Sequence, residues 1–393
     1  MAATLAHKMF SNVRDRGTTI GVKAFMMIRT AASTSSSAKV KSGGEYSLGN
    51  NDVSWKTKPR NELNVTANSP SWIHQLNTHG YAVVPNVLSS QECDHIIEQA
   101  WEWLFKLGTG INRGDPKTWT NERWPSNFNG IIQRYRIGHA PFIWKARTNP
   151  NVIGVFKEIW GTGELLTSFD AMCILRPAEM VEDLEYTQSW FHTDQSPKKK
   201  GFHCVQGVLN LEEASTQDAG FACYPGSHSL HQELFQRNNE YNSEMDFNII
   251  SKDDLEWVEH NKGLVPTRIP APKGSFVVFD SRLLHCNVPA NVPRQNPRWR
   301  YTLYICMTPR AWSDQNTLQA RVKAFRNQQM TTHWPHHLGL FPDDPDFPML
   351  PKFDLGDVGE KLVGLKDYRG NKLVLKDGVE SESGFKPHDR PAL

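Results

Sequence analysis

A chain of 393 residues, 38% hydrophobic and 22% charged, is long enough to bury a sizeable core in one large domain or two ordinary ones. Its 44 basic and 42 acidic residues nearly cancel, and a formal net charge of +2 gives no reason to expect nucleic acid or a membrane surface as partner. No apolar run approaches a bilayer span, and the six cysteines form no CxxC pair, which argues against a zinc knuckle or disulfide scaffold and leaves buried, reduced thiols.

Residues 1–66 read as a tail. The run TAASTSSSAKVKSGGEYSLGNND is too small and polar to bury much surface. Before it, Lys8, Arg14, Arg16, Lys23 and Arg29 face one acid, Asp15. Basic, serine-rich and acid-poor is the composition of an organelle transit peptide, and equally of an ordinary tail. Cytoplasm and mitochondrion are the locations this leaves.

Order is expected from about residue 67. Ser69 is placed to cap a short helix, GYAVVPNV reads as a strand, and Ser89 or Ser90 caps a longer helix. In that helix Ile96, Ile97, Ala100, Trp101 and Leu104 recur at helical spacing, and Gly108 and Gly110 end it. Another helical stretch covers 149–161. Gln133, Arg134 and Arg136, between the two, are positioned where substrate contacts are often built.

After about residue 165 short β-rich segments take over: LLTSFDAMCILRP, SWFHTDQ, CVQGVLNLE, GFACYPGSH, GSFVVFDSRLLHCNV and RWRYTLYICMTP. Turn residues separate them, and helical stretches fall near 229–240 and 252–260. This spacing predicts a sandwich or barrel. Residues 311–393, rich in proline and charge, are expected to wrap the surface.

Alternate residues of a strand share a face, so His192 and Asp194 project together. An imidazole and a carboxylate make two thirds of a facial metal triad, and His285, at the end of GSFVVFDSRLLH, is the best candidate for the third ligand. Such a triad holds Fe(II) on one face and leaves positions for a bidentate cosubstrate and dioxygen. A 2-oxo acid so bound needs its far carboxylate neutralised, and an arginine fork does this best. Arg300 and Thr302 share a face at the head of a strand. Arg298 has the same parity and Arg294 lies in the preceding loop, so all three arginines stay open. Gln206 and Asn210, on one face of another strand, are candidates for the near carboxylate.

With these residues in view the chain resembles the phytanoyl-CoA dioxygenase family of Fe(II)/2-oxoglutarate oxygenases over roughly residues 70–310. The resemblance rests on HTD at 192–194, GFACYPGSHSLH at 220–231, GSFVVFDSRLLH at 274–285, the arginine beyond, and the entry HGYAVVPNVLSSQEC. It implies a mainly β fold with flanking helices: a double-stranded β-helix, the cupin-like jelly roll. It implies iron held by His192, Asp194 and His285, and 2-oxoglutarate held by Arg300. Fe(II), 2-oxoglutarate and O2 would be the inputs, ascorbate a candidate reductant, and succinate and CO2 the products. Asp194 sits where related halogenases lack a carboxylate, which favours hydroxylation or another C–H oxidation.

The expected organisation is a tail at 1–66, an oxygenase domain at 67–310 with its barrel at about 165–310, and an extension at 311–393. The substrate is expected to be a small molecule, an acyl-CoA or another metabolite, and the protein a monomer or weak homodimer. Two alternatives stand beside this reading: a cupin-like metalloenzyme that does not use 2-oxoglutarate, and a non-catalytic jelly-roll binding protein. Other residues receive plainer readings. His228 is a satisfied turn residue and His203 a surface one. His333, His336 and His337 face solvent or pack. Lys198, Lys199 and Lys200 form a solvated turn, with an electrostatic funnel as the rival reading. Trp190 and Phe191 are core. Asp170 and Arg176 either pair or line the substrate side.

Overall fold

The computed structural model describes residues 63–373, apart from 182, 183, 185, 187–189, 239, 240, 242–244, 343, 345 and 346. The expectations for the basic, serine-rich stretch therefore lie outside the described residues.

Packing starts at Leu63, which is already buried. Ser69 does not cap the first helix, α1 (Ser71–His79); it closes a turn with Thr66, and Pro70 takes the cap position. A backbone turn to Leu76 then leads through Gly80 into β1 (Tyr81–Val84). The next helix, α2 (Ser90–Lys106), starts with a reciprocal capping box: Glu92 N–H donates to Ser89 Oγ, and Ser89 N–H to the Glu92 carboxylate. Such a cap contributes about 1 kcal/mol. The helix buries Ile96, Ile97, Ala100, Trp101 and Leu104, the stripe expected from the spacing. After the short β2 (Ile131–Ile132) come α3 (Pro141–Arg147) and α4 (Pro150–Trp160).

The remaining strands are β3 (Leu165–Thr167), β4 (Met172–Leu175), β5 (His192–Thr193), β6 (Val205–Asn210), β7 (Gly220–Cys223), β8 (Asn248–Ile249), β9 (Thr267–Ile269), β10 (Phe276–Asp280), β11 (His285–Val288) and β12 (Arg300–Pro309). Helices α5 (His231–Arg237) and α6 (Lys252–His260) lie between β7 and β9. The larger sheet runs β1-β10-β6-β12-β4-β2, with β3 also on β12; the smaller runs β8-β5-β11-β7-β9. Every pairing between these strands is antiparallel. Two antiparallel sheets face to face, with helices outside the larger one, form the jelly roll that the sequence led us to expect.

Strand parity separates two cores. Phe276, Val278, Leu209, Tyr301, Leu303, Ile305 and Met307 point outward and pack with Trp101, Phe156 and Trp160 of the helices. Val208, Val277, Phe279, Phe221 and Cys223 point inward, between the sheets. Gly207 marks a close approach: a Cβ there would stand 2.2 Å from the Phe276 ring and 2.8 Å from the Ile305 carbonyl. The Phe276 ring lies in the space a side chain would take.

GSFVVFDSRLLH is not one strand. β10 stops at Asp280, and His285 begins β11 rather than ending the run. The cause is local: Arg282 grips the Asp280 carboxylate through its backbone N–H and its guanidinium, and Leu283 N–H closes the turn on the Asp280 carbonyl.

The segment after β12 contributes α7 (Gln315–Arg326) and α8 (Gly356–Val363). It does more than cover the surface. Arg321 is fully buried, and its guanidinium donates to the carbonyls of Thr167, Pro335, Leu362 and Val363. Arg136 donates to the carbonyls of Asn327, Asp344 and Phe347, and Arg134 pairs with Asp344. These two arginines thus tether the extension. Among the described residues no helix is long and apolar enough to cross a membrane.

Candidate metal and cosubstrate site

β5 and β11 are neighbours, with His192 directly opposite His285. Both imidazoles face the space between the sheets, their ring centroids 4.2 Å apart. Each ring is oriented the same way: His192 Nδ1 lies 3.0 Å from the Trp190 carbonyl, and His285 Nδ1 lies 3.0 Å from the Leu283 carbonyl. With Nδ1–H donating to a backbone oxygen, Nε2 carries the lone pair and faces inward. Aromatic rings pack both imidazoles. Trp190 stacks on His192 at 4.8 Å, and Phe279 leans on His285 at 4.3 Å.

Asp194 follows β5 at the first bend, its backbone N–H on the Ser281 carbonyl. Its Oδ2 lies 3.6 Å from His192 Nε2 and 3.5 Å from His285 Nε2. One ligating atom from each of the three residues falls within 4.8 Å of the others, and all three residues are buried. Burial acts to raise the Asp194 carboxyl, but the neighbouring His333, His192 and His285 outweigh it and hold the group well below the usual carboxylate range. Burial and the neighbouring His192 push His285 down. An ionised carboxylate with Nε2 lone pairs aimed at the same point is the donor set of a 2-His-1-carboxylate Fe(II) centre, so the residues fit such an ion.

The other half of the site lies on the larger sheet. Arg300, Thr302 and Tyr304 share the inner face of β12, with Asn210 opposite Thr302 and Val208 opposite Tyr304. Arg300 is 4% exposed, yet among the described residues its Nε and Nη2 have no hydrogen-bond partner, and Nη1 has a distant contact with Cys173 Sγ. A buried guanidinium with two unused donors costs stability unless an anion fills the place, which fits a carboxylate ligand. The other arginines are spent. Arg294 is paired with both Glu179 and Asp218, and Arg298 shares Asp218 from a half-exposed position.

Gln206 donates from its amide Nε2 to Asp194 Oδ2 at 2.8 Å, which puts it beside the triad. Asn210 Nδ2 donates to the Val208 carbonyl. Two residues were missed. Asn287, two beyond His285, donates from Nδ2 to Tyr304 Oη at 2.9 Å and bridges the two sheets across the site. The parity that selected Arg300 and Thr302 also reaches Tyr304, so this signal was available.

Several plainer readings need correction. His203 is buried, with Nε2 2.7 Å from the Lys200 carbonyl. Lys199 is neither solvated nor part of a funnel: it pairs with Asp246 and lies over the Trp334 ring at 4.1 Å. Arg134 and Arg136 both engage the extension. Arg176 donates to the Trp119 carbonyl and Asn121, while Asp170 accepts from Ala171 N–H. His228 is a turn residue, with Nε2 3.2 Å from the Asn77 carbonyl. His336 packs inside with Nδ1 3.1 Å from Thr308 Oγ1, as expected, whereas His333 reaches the metal-site loop.

A jelly roll with two histidines and a carboxylate converging between its sheets defines a class of metal-dependent oxygenases and their relatives. The phytanoyl-CoA dioxygenase family model matches residues 76–286, and the chain belongs to that family. A protein of Aspergillus versicolor, "Ava biosynthesis cluster protein O", is 31% identical over 272 residues, 67% of this chain and 86% of that one. A Dictyostelium discoideum protein carrying the family's own name is 25% identical over 244 residues, 53% of this chain and 67% of that one. Among solved structures, EctD from S. alaskensis with 2-oxoglutarate and 5-hydroxyectoine aligns at 14% identity and a TM-score of 0.44, over 65% of this chain and 83% of that one. The protein is a non-haem Fe(II)- and 2-oxoglutarate-dependent oxygenase acting on a small molecule, with O2 as its other input.

Proposed function

We propose that His192, Asp194 and His285 hold the ferrous ion and that Arg300, with Thr302, holds the distal carboxylate of 2-oxoglutarate. The observation that carries this reading is the convergence of three buried ligating atoms within 4.8 Å. When bound, the iron and 2-oxoglutarate supply oxidation of a substrate C–H bond, with release of succinate and CO2. The chain's own residues position and exclude. Trp190 and Leu283 carbonyls fix the two imidazoles. Gln206 orients the Asp194 carboxylate. Asn210, opposite Thr302, completes the polar end around Arg300. Phe221, Phe279 and Trp190 keep the histidines dry, which strengthens the charge interactions at the centre.

In this reading residues 67–310 are the oxygenase domain, with the barrel at about 165–310, preceded by a tail at 1–66 and followed by an extension at 311–393. The substrate is an acyl-CoA or another small metabolite. The enzyme works as a monomer or weak homodimer, in the cytoplasm or mitochondrion. Anaerobic Fe(II) titration of wild type and His285→Ala, followed by succinate release against a metabolite panel, tests the assignment. Retention of tight iron binding by His285→Ala would overturn it. Succinate release that does not depend on Arg300 would remove 2-oxoglutarate from the scheme and leave a cupin-like metalloenzyme.

A further inference from the structure

The family match stops at residue 286, yet the metal-facing loop is gripped from residues far beyond it. Three contacts converge on the loop that starts at Asp194. His333 Nε2 lies 3.4 Å from the Asp194 backbone carbonyl. Lys199, five residues on, has its ammonium 4.1 Å from the centre of the Trp334 ring. Cys204, at the loop's end, turns its thiol to the His333 carbonyl at 3.6 Å. Two consecutive residues of the extension therefore touch the beginning, middle and end of one loop.

The gripping segment is itself anchored. Arg321 Nη1 donates to the Pro335 carbonyl, and Arg321 also reaches Thr167 in β3 and the C-terminal end of α8. His336 Nδ1 meets Thr308 Oγ1 on β12. So His333 sits on a strap fixed to the barrel at two places. Asp194 needs such support because β5 ends at Thr193. Beyond that point the strand ladder no longer fixes the backbone, and among the described residues the Ser281 carbonyl and His333 address the Asp194 peptide groups.

We propose that His333 is a positioning residue for the metal site: donating from Nε2–H to the Asp194 carbonyl, it holds the carboxylate ligand at the angle that coordination requires. The inference rests on the reading of His192, Asp194 and His285 as the metal ligands. It adds that the extension, which lies outside the family match, is part of the metal centre. Outer contacts of this kind change metal affinity by roughly 10–100-fold when lost.

The test compares two variants that both fill the space, only one of which donates. His333→Gln places an amide nitrogen near the position of Nε2, while His333→Phe keeps the ring and removes the donor. Co(II) is titrated into the metal-free, full-length protein without cosubstrate, and its visible absorption and dissociation constant are read together with the melting temperature of the metal-free form. We expect His333→Phe to weaken Co(II) binding at least tenfold with an altered absorption spectrum. His333→Gln should stay within about threefold of wild type, and both metal-free forms should melt close to wild type. Equal loss in both variants, or loss in neither, overturns the proposal. A His333→Phe form that melts far lower and recovers wild-type Co(II) affinity on cooling also overturns it, because the role is then packing. The triad reading fails separately, and visibly, if wild type itself binds no Co(II) or if His285→Ala binds it like wild type.

Discussion

Replacing Arg300 by methionine separates what the guanidinium does for the cosubstrate from what it does for the fold. The side chain is buried, and among the described residues two of its three nitrogens have no hydrogen-bond partner. A carboxylate filling that place would make two charge-assisted hydrogen bonds, each worth about 1.5–3 kcal/mol. Their loss amounts to roughly 3–6 kcal/mol, or about 10²–10⁴-fold in the dissociation constant of 2-oxoglutarate. Free protein should respond oppositely. It carries unused buried donors, so an apolar chain of similar length is neutral or stabilising there. Melting of the Mn(II)-loaded protein with and without 2-oxoglutarate reads both effects at once. Wild type should gain stability as ligand rises, following mass action. Arg300→Met should start as high or higher and gain almost nothing. Binding of 2-oxoglutarate by Arg300→Met within about threefold of wild type would refute the reasoning, most directly if Arg294→Met abolished it.

Other outcomes follow from the same contacts. Arg294→Met strips Glu179 of its guanidinium and leaves Asp218 with Arg298 alone, and should lower stability by about 3 kcal/mol in urea titrations. Arg321→Met leaves the carbonyls of Thr167, Pro335, Leu362 and Val363 without their donor, and its melting temperature should fall by well over about 5 °C. Burial lowers His139 from 6.5 to about 3, and its Nε2 faces the Gln329 carbonyl. The folded chain keeps this imidazole neutral while the unfolded chain takes up a proton below about 6.5. Its contribution to stability is therefore complete above pH 6.5 and is lost progressively as pH falls towards 3, reaching about 2 kcal/mol of loss near pH 5. Urea midpoints measured between about pH 7 and pH 5 should fall less steeply for His139→Gln. Gly207→Ala forces the Phe276 ring aside and should cost about 1–3 kcal/mol with metal binding unchanged.

The convergence of His192, Asp194 and His285 was legible because its signal is local. A histidine and a carboxylate two apart need only strand parity to be placed on one face, and a third histidine at a strand terminus completes the set. The choice among Arg294, Arg298 and Arg300 was not legible. Parity does not reveal that Glu179 and Asp218, more than 70 residues away in the chain, already occupy the first two. The break at 281–284 was hidden by apolar residues on both sides, since the turn is made by the charges of Asp280 and Arg282. His333 was the least visible. Nothing in THWPHHLG points to Asp194, and the approach depends on the anchoring of residues 335 and 336 by Arg321 and Thr308.

His192 and His285 sit on adjacent strands of the smaller sheet, whereas Arg300 stands on the larger one, and Asn287 with Tyr304 is a polar link between the two. In the proposed site, coordination geometry is thus inherited from one ladder of backbone hydrogen bonds and cosubstrate reach from another. A change in the tilt between the layers would lengthen or shorten the span offered to a dicarboxylate while leaving the ion's immediate surroundings intact. Substitutions along the seam, at Asn287 and Tyr304 first, are where selectivity for the length of the oxo acid should be adjustable.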